Sequence, residues 1–397
     1  MRRFTFRMLL VFVFVMPMEN AWSAPGLGRL SHAAGLALAG FWILTVLMTH
    51  RFRKPREIHL LVALFVLWNG LSVLWSHDTS MSFLRFLTYV QVLGQFLIVW
   101  DLADTPETLR AAMQAYVLGA FISIGSAIQN YRSGNQYYSQ RYSGAGLQVN
   151  DLGLILAIGI PIAWYLAFVE PQRARRWLRW ANVLYIPASL FGILLGASRG
   201  AMLGVVPAAL FAALSLRRLN GIMRTLLLGS AIASYFLLAA LVPHASVERI
   251  GTIGDELTNG DLNGRVRIWR EGMSVFGEHP LFGIGTGAFR SAVDVEAPAH
   301  NFAVALLAEV GLVGFTLFSL VLLFVFRDAL LQPGSWRALW LTVLAIWLIA
   351  AGSHNWEHRK QTWLFFCLIA ASAAFRPRQA GPAAGAPATG DPPAAVV

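Results

Sequence analysis

His300, Arg199 and Arg265 are the side chains whose type and setting suit chemistry. His300 stands in "EAPAHNFAVALLAEVGLVGF", residues 296–315, where a long apolar segment begins. An imidazolium is disfavoured at the positive end of a helix and beside arginines, so the ring is expected to be neutral at physiological pH. A neutral imidazole can take a proton, which is the task of a general base. Arg199 lies in "GASRGAM", between two apolar runs with almost no loop to solvate it. Arg265 falls in the first turn of an amphipathic helix, where a cation costs a few tenths to about 1 kcal/mol unless an anion sits against the backbone N–H groups. Forked guanidinium donors match phosphate oxygens. Two such arginines with a base beside them suggest attack by a hydroxyl on a centre with a phosphate-containing leaving group. Each residue alone has a plainer reading: a snorkelling Arg, a solvated charge, an interfacial His that caps or packs.

The elements that must position these groups are membrane helices. Of the 397 residues, 57% are hydrophobic and 13% charged, and mean hydropathy is +0.58. A soluble domain needs more surface charge. Apolar stretches of 18 or more residues recur, each enough to cross about 30 Å of hydrocarbon. They lack the alternation of barrel strands. The expected fold is all-α and polytopic, with about twelve spans near 5–18, 31–49, 58–75, 83–101, 109–129, 151–169, 180–196, 201–216, 223–243, 301–326, 337–352 and 362–375. The first resembles a signal peptide in its charged start and apolar middle. Trp22 and Pro25 suit a cleavage site poorly, so it is read as a retained helix. Net charge is +11. With both termini cytoplasmic, most of the 31 Lys and Arg fall on the inner side, as the positive-inside rule requires. The same placement argues against nucleic acid as a partner. The single Cys, Cys367, lies within a span, so disulfides do not hold this fold.

Residues 1–375 form one helical transmembrane domain in this reading, and the Pro/Ala/Gly-rich 376–397 a disordered cytoplasmic tail. The loop of about 243–300 is the largest polar stretch. Within it Val266, Trp269, Met273 and Phe276 make an apolar stripe on a helix, with Asn263 as a plausible N-cap. Three motif matches are set aside. "GASRG" fits G-x-S-x-G around Ser198, but that elbow needs a strand-to-helix turn. "HNWEH" (354–358) fits a zinc-protease pattern without an obvious third ligand and reads as a polar hairpin at the surface. "GIGTG" (283–287) has the wrong spacing for a dinucleotide fingerprint, though Gly285 and Gly287 would allow close backbone approach to a ligand. Glu309 lies nine residues after His300, on the opposite side of a helix, and reads as a buried acid packing on a neighbour. No metal or other cofactor is expected.

"NGRVRIWREGMSVFGEHPLFGIGTGAF" followed by "HNFAVALLAEVGLVG" resembles the signature of the O-antigen ligase and polymerase superfamily of bacterial membrane glycosyltransferases. "GASRGAMLG" is similar to that superfamily's Ser-Arg-Gly element, and "SVLWSHDTSMSFLRFLTY" and "RYSGAGLQVNDLGLILAIGIP" to two weaker stretches. The resemblance implies a GT-C-like fold in the inner membrane with a periplasmic active site. It also implies metal-independent, inverting transfer of a glycan from an undecaprenyl pyrophosphate donor. Arg199 and Arg265 would hold the pyrophosphate, and His300 would activate the acceptor hydroxyl. Asn301, Gly285, Gly287 and Asn150 would support them; "GAGLQVNDLG" departs from the usual wording around Asn150. The expected activity is O-antigen ligation, with lipid A–core as acceptor in a lipid bilayer. A polymerase or a protein O-oligosaccharyltransferase of the same superfamily is the near alternative. A secondary transporter is the alternative of another class, disfavoured because the polar groups cluster at one face rather than mid-membrane.

Overall fold

A computed structural model describes residues 1–375 except 20, 22, 25–27, 171–174, 259, 263 and 295–296. The expected tail, 376–397, and the expected cap Asn263 therefore lie outside the described residues. The expected apolar segments all fold as helices, and the chain is an all-α polytopic membrane protein. Nine helices among the described residues are long and apolar enough to cross a membrane. Three of the twelve expected spans fall short of that length: α1 (Arg2–Val15, 14 residues), α8 (Arg199–Ser215, 17 residues) and α15 (Lys360–Ala373, 14 residues).

Burial follows hydropathy pattern. α6 (Val149–Trp164) is apolar all round, as a helix enclosed on every side should be, and it sits at the centre against α5 (Pro106–Arg132), α7 (Arg176–Gly196), α8 and α14 (Gly334–Ala351). α5 begins cleanly because Thr105 and Thr108 cap each other's backbone and Pro106 has no N–H to leave unpaired. Within the same core a set of rings joins α3 (Glu57–Leu71), α13 (Phe302–Leu330), α14 and α15. Phe318 packs on Phe65, Trp347, Trp363 and Phe366, and the Trp347 indole N–H is satisfied by the Thr362 hydroxyl at 2.8 Å. α9 (Gly221–Leu241) has no buried residue. The chain then turns through α10 (His244–Gly251) and α11 (Ile253–Thr258) to α12 (Arg265–Glu278), the helix expected in the long loop.

α13 is broken at Gly311, whose φ of 64° and ψ of −168° leave the helical region and suit a residue without Cβ. A break frees backbone groups that must find partners inside a membrane protein. The 280–287 loop supplies them. Ile284 N–H donates to Ala308 O at 3.0 Å, Gly285 N–H to Glu309 O at 2.8 Å, and Leu312 N–H to Pro280 O at 2.8 Å. The Trp68 indole of α3 donates to Val310 O at 3.0 Å. Glu309 is buried and accepts from Gly287 N–H at 2.7 Å. This clamp fixes α12 and the start of α13 relative to the bundle.

Candidate active site

Four helix N-termini meet around one cavity of ≈ 680 Å³: those of α6, α8, α12 and α13. Its walls include Arg141, Asn150, Arg199, Arg249, Arg265, His300 and His354. Convergent N-termini carry partial positive charge and free N–H groups. With four guanidinium groups and one carboxylate, Glu256, in the lining, the cavity is built to attract an anion.

His300 is held by its neighbours. Its backbone is left-handed, φ 51°, an uncommon state for a residue with a Cβ that the surroundings must enforce. On one side the Trp269 indole of α12 donates to Ala299 O at 2.9 Å. On the other, the Asn301 side chain accepts from the N–H groups of Ala303 and Val304 at 2.9 and 3.2 Å, and donates to Gly352 O at 3.2 Å. Asn301 is therefore the cap that opens α13 and ties it to the end of α14. Burial presses the His300 ring down to about 4, and Arg265 and Arg290 push in the same direction. The ring is neutral across the physiological range.

The arginines differ in how much of their hydrogen-bonding capacity is already used. Ala197, with φ 43°, turns the chain out of α7, and Ser198 caps α8 through Ala201 N–H at 3.4 Å; Ser198 is thus a capping residue in this turn. Arg199 follows in the first turn of α8. Its guanidinium donates to Arg249 O at 2.9 Å and to the Thr252 hydroxyl at 2.5 Å, and pairs with Glu256 at 3.0 Å. It holds α10 and α11 against the cavity. Arg265 opens α12 and, among the described residues, its guanidinium has no hydrogen-bond or ion-pair partner. Burial lowers its pKa, and the nearby Arg249 and Arg199 add to the effect while Tyr138 and Glu256 oppose it.

The structure brings Arg199, Arg265, His300 and Asn150 to one cavity. It places Gly285 and Gly287 elsewhere. A Cβ on Gly285 would meet Ser76, and one on Gly287 would meet Arg85 and Met81; these glycines serve the clamp on α13. Sequence reading passed over Arg141, Arg249 and His354. Arg141 donates to Gly196 O at 2.7 Å, the Tyr138 hydroxyl at 2.7 Å and Asn150 Oδ1 at 2.9 Å, so Asn150 steadies a second cation. His354 comes from "HNWEH", expected at the surface, yet it is only 7% exposed, with Trp356 and Glu357 at 1%. A Trp beside a Glu in so short a connection between spans is the one sequence signal there, and it does not by itself reveal burial.

The fold and the cavity define a multi-pass membrane protein with a site suited to an anionic substrate. Residues 184–319 match the family model described as O-Antigen ligase; this stretch carries Arg199, Arg265 and His300. The chain is also similar to the exopolysaccharide production protein ExoQ of Rhizobium meliloti (strain 1021), 23% identical over 320 residues that cover 75% of this chain and 72% of that protein. Both matches support a place in the O-antigen ligase/polymerase superfamily.

Proposed function

We propose that this chain is a glycosyltransferase of the O-antigen ligase kind. It would move a glycan from undecaprenyl diphosphate to a sugar hydroxyl of lipid A–core at the periplasmic face of the inner membrane. The observation that carries this reading is the sharing of one cavity by a neutral imidazole and a surplus of arginines. Arg265 and Arg249 would face the diphosphate, and Arg199 would add its charge from the wall while anchoring α10 and α11. Fixed cations there stabilise the negative charge that grows on the leaving diphosphate. His300 would remove the acceptor hydroxyl's proton as that oxygen bonds to the anomeric carbon and the carbon–oxygen bond to the diphosphate breaks. A single displacement of this kind inverts the anomeric centre. An imidazole poised near 4 is a weak base in the free protein. A bound diphosphate would raise that value, so the base would strengthen when substrate arrives. No metal is required in this scheme.

A polymerase reading, with a further glycan as acceptor, is favoured by the similarity to a protein of exopolysaccharide production. Purified protein in nanodiscs, given undecaprenyl-diphosphate-linked glycan with either lipid A–core or a second glycan, separates the two. Extension of lipid A–core supports ligation, and extension of the glycan alone assigns polymerisation. Transfer to neither acceptor would end the reading.

A further inference from the structure

His354 sits in the turn between α14 and α15, beside His300. Its ring meets that of His300 edge to face, centroids 5.9 Å apart. Hydrogen bonding favours one tautomer. The Ser353 hydroxyl lies 3.2 Å from Nδ1, and its one proton is directed to Ala350 O at 3.1 Å. With that proton on Ala350 O, Ser353 accepts from the ring, and Nδ1 carries the hydrogen in this arrangement. Burial, with Arg265 adding, presses the ring down to about 3, so no second proton is present. Nε2 is left as a bare acceptor. It is buried and has no donor among the described residues, although His354 lines the cavity. An acceptor so placed is costly unless a ligand supplies an O–H or N–H.

This divides the cavity by chemistry. A nitrogen lone pair repels a fully ionised phosphate oxygen, which has no hydrogen to offer. A sugar offers several. We propose that His354 Nε2 accepts a hydrogen bond from a hydroxyl of the acceptor sugar, next to the hydroxyl that His300 deprotonates. His354 would thereby choose and orient the acceptor, while the arginine side takes the diphosphate. The inference rests on the transferase reading above.

The test measures KM for lipid A–core and for donor with full-length protein in nanodiscs, comparing wild type, His354→Phe and His354→Gln. The expected result is about a tenfold rise in acceptor KM for His354→Phe, with donor KM unchanged. His354→Gln, which can still present an oxygen, should recover most of the loss. Unchanged acceptor KM in His354→Phe, or equal rises for donor and acceptor, would overturn the proposal. If His354→Phe does not fold, or if wild type transfers to no acceptor, nitrogen NMR of histidine-labelled protein decides. The His354→Gln spectrum assigns the resonance. Movement of His354 Nε2 on titration with lipid A–core supports the inference even if transfer fails, and a static resonance refutes it.

Discussion

The two ends of α13 treat arginine in opposite ways. Near Asp328, at one end, Arg56 makes a forked contact at 2.9 Å to each carboxylate oxygen and adds a bond to Ala370 O. At that same end of the bundle Arg2 pairs with Asp101, which also accepts from Arg53 N–H and the Trp42 indole. The two carboxylates there, Asp101 and Asp328, are buried and each is paired with an arginine. At the His300 end, four arginines share one lining carboxylate, and Arg265 has no partner among the described residues. The first arrangement is what a fold does with charge it must bury. The second keeps an electrostatic demand open, which stability alone does not reward, and that demand marks the cavity as the candidate site.

Substitutions at the two ends should therefore fail differently. His300→Ala should lower transfer by about 10³-fold with unchanged melting, since the loss is of a general base; near-normal turnover would remove His300 from the chemistry. Arg56→Ala should do the reverse. It removes the forked partner of the buried Asp328 carboxylate and leaves, among the described residues, only Arg327 at 3.9 Å, a loss of about 3 kcal/mol, read as a lower melting temperature with turnover intact in the folded fraction. A drop in turnover at constant stability would erase the contrast. Arg265→Lys should cost roughly 10- to 100-fold in transfer, because a point charge does not reproduce the fork. Wild-type kinetics would show that any cation suffices.

The smallest effect lies in pH. His300 is depressed to about 4 from the ordinary 6.5, so it is deprotonated in the folded protein wherever pH exceeds that value. The acid limb of kcat/KM, which reports the free protein, should fall near pH 4. That of kcat should lie higher, because bound diphosphate stabilises imidazolium. Stability moves with the same sign. The unfolded ring takes up its proton first, so stability is full above about pH 6.5 and declines as pH drops toward 4. A kcat/KM limb at 6.5 would mean that the ring is not in the environment described.

Much of this was legible in the sequence. Apolar length gave the helices, and charge in the wrong place drew attention to Arg199 and Arg265, which share a cavity with His300. What stayed hidden depends on contacts between segments far apart. Gly285 and Gly287 read as a ligand cradle, yet they mend the break in α13, since a glycine needing close backbone approach does not say which backbone. Arg199 read as a free clamp, yet Glu256 reaches it from 57 positions away. His354 was hidden because its loop is short and polar, and only packing buries it.

Lipid binding tests the central claim most directly. Affinities of the full-length protein in nanodiscs for undecaprenyl diphosphate and for uncharged undecaprenol isolate the part played by the diphosphate. The account predicts that wild type prefers the diphosphate by at least about tenfold, and that an Arg249→Gln/Arg265→Gln double variant loses that preference while still binding undecaprenol. Equal affinity of the wild type for both lipids, or a preference untouched in the double variant, would contradict it.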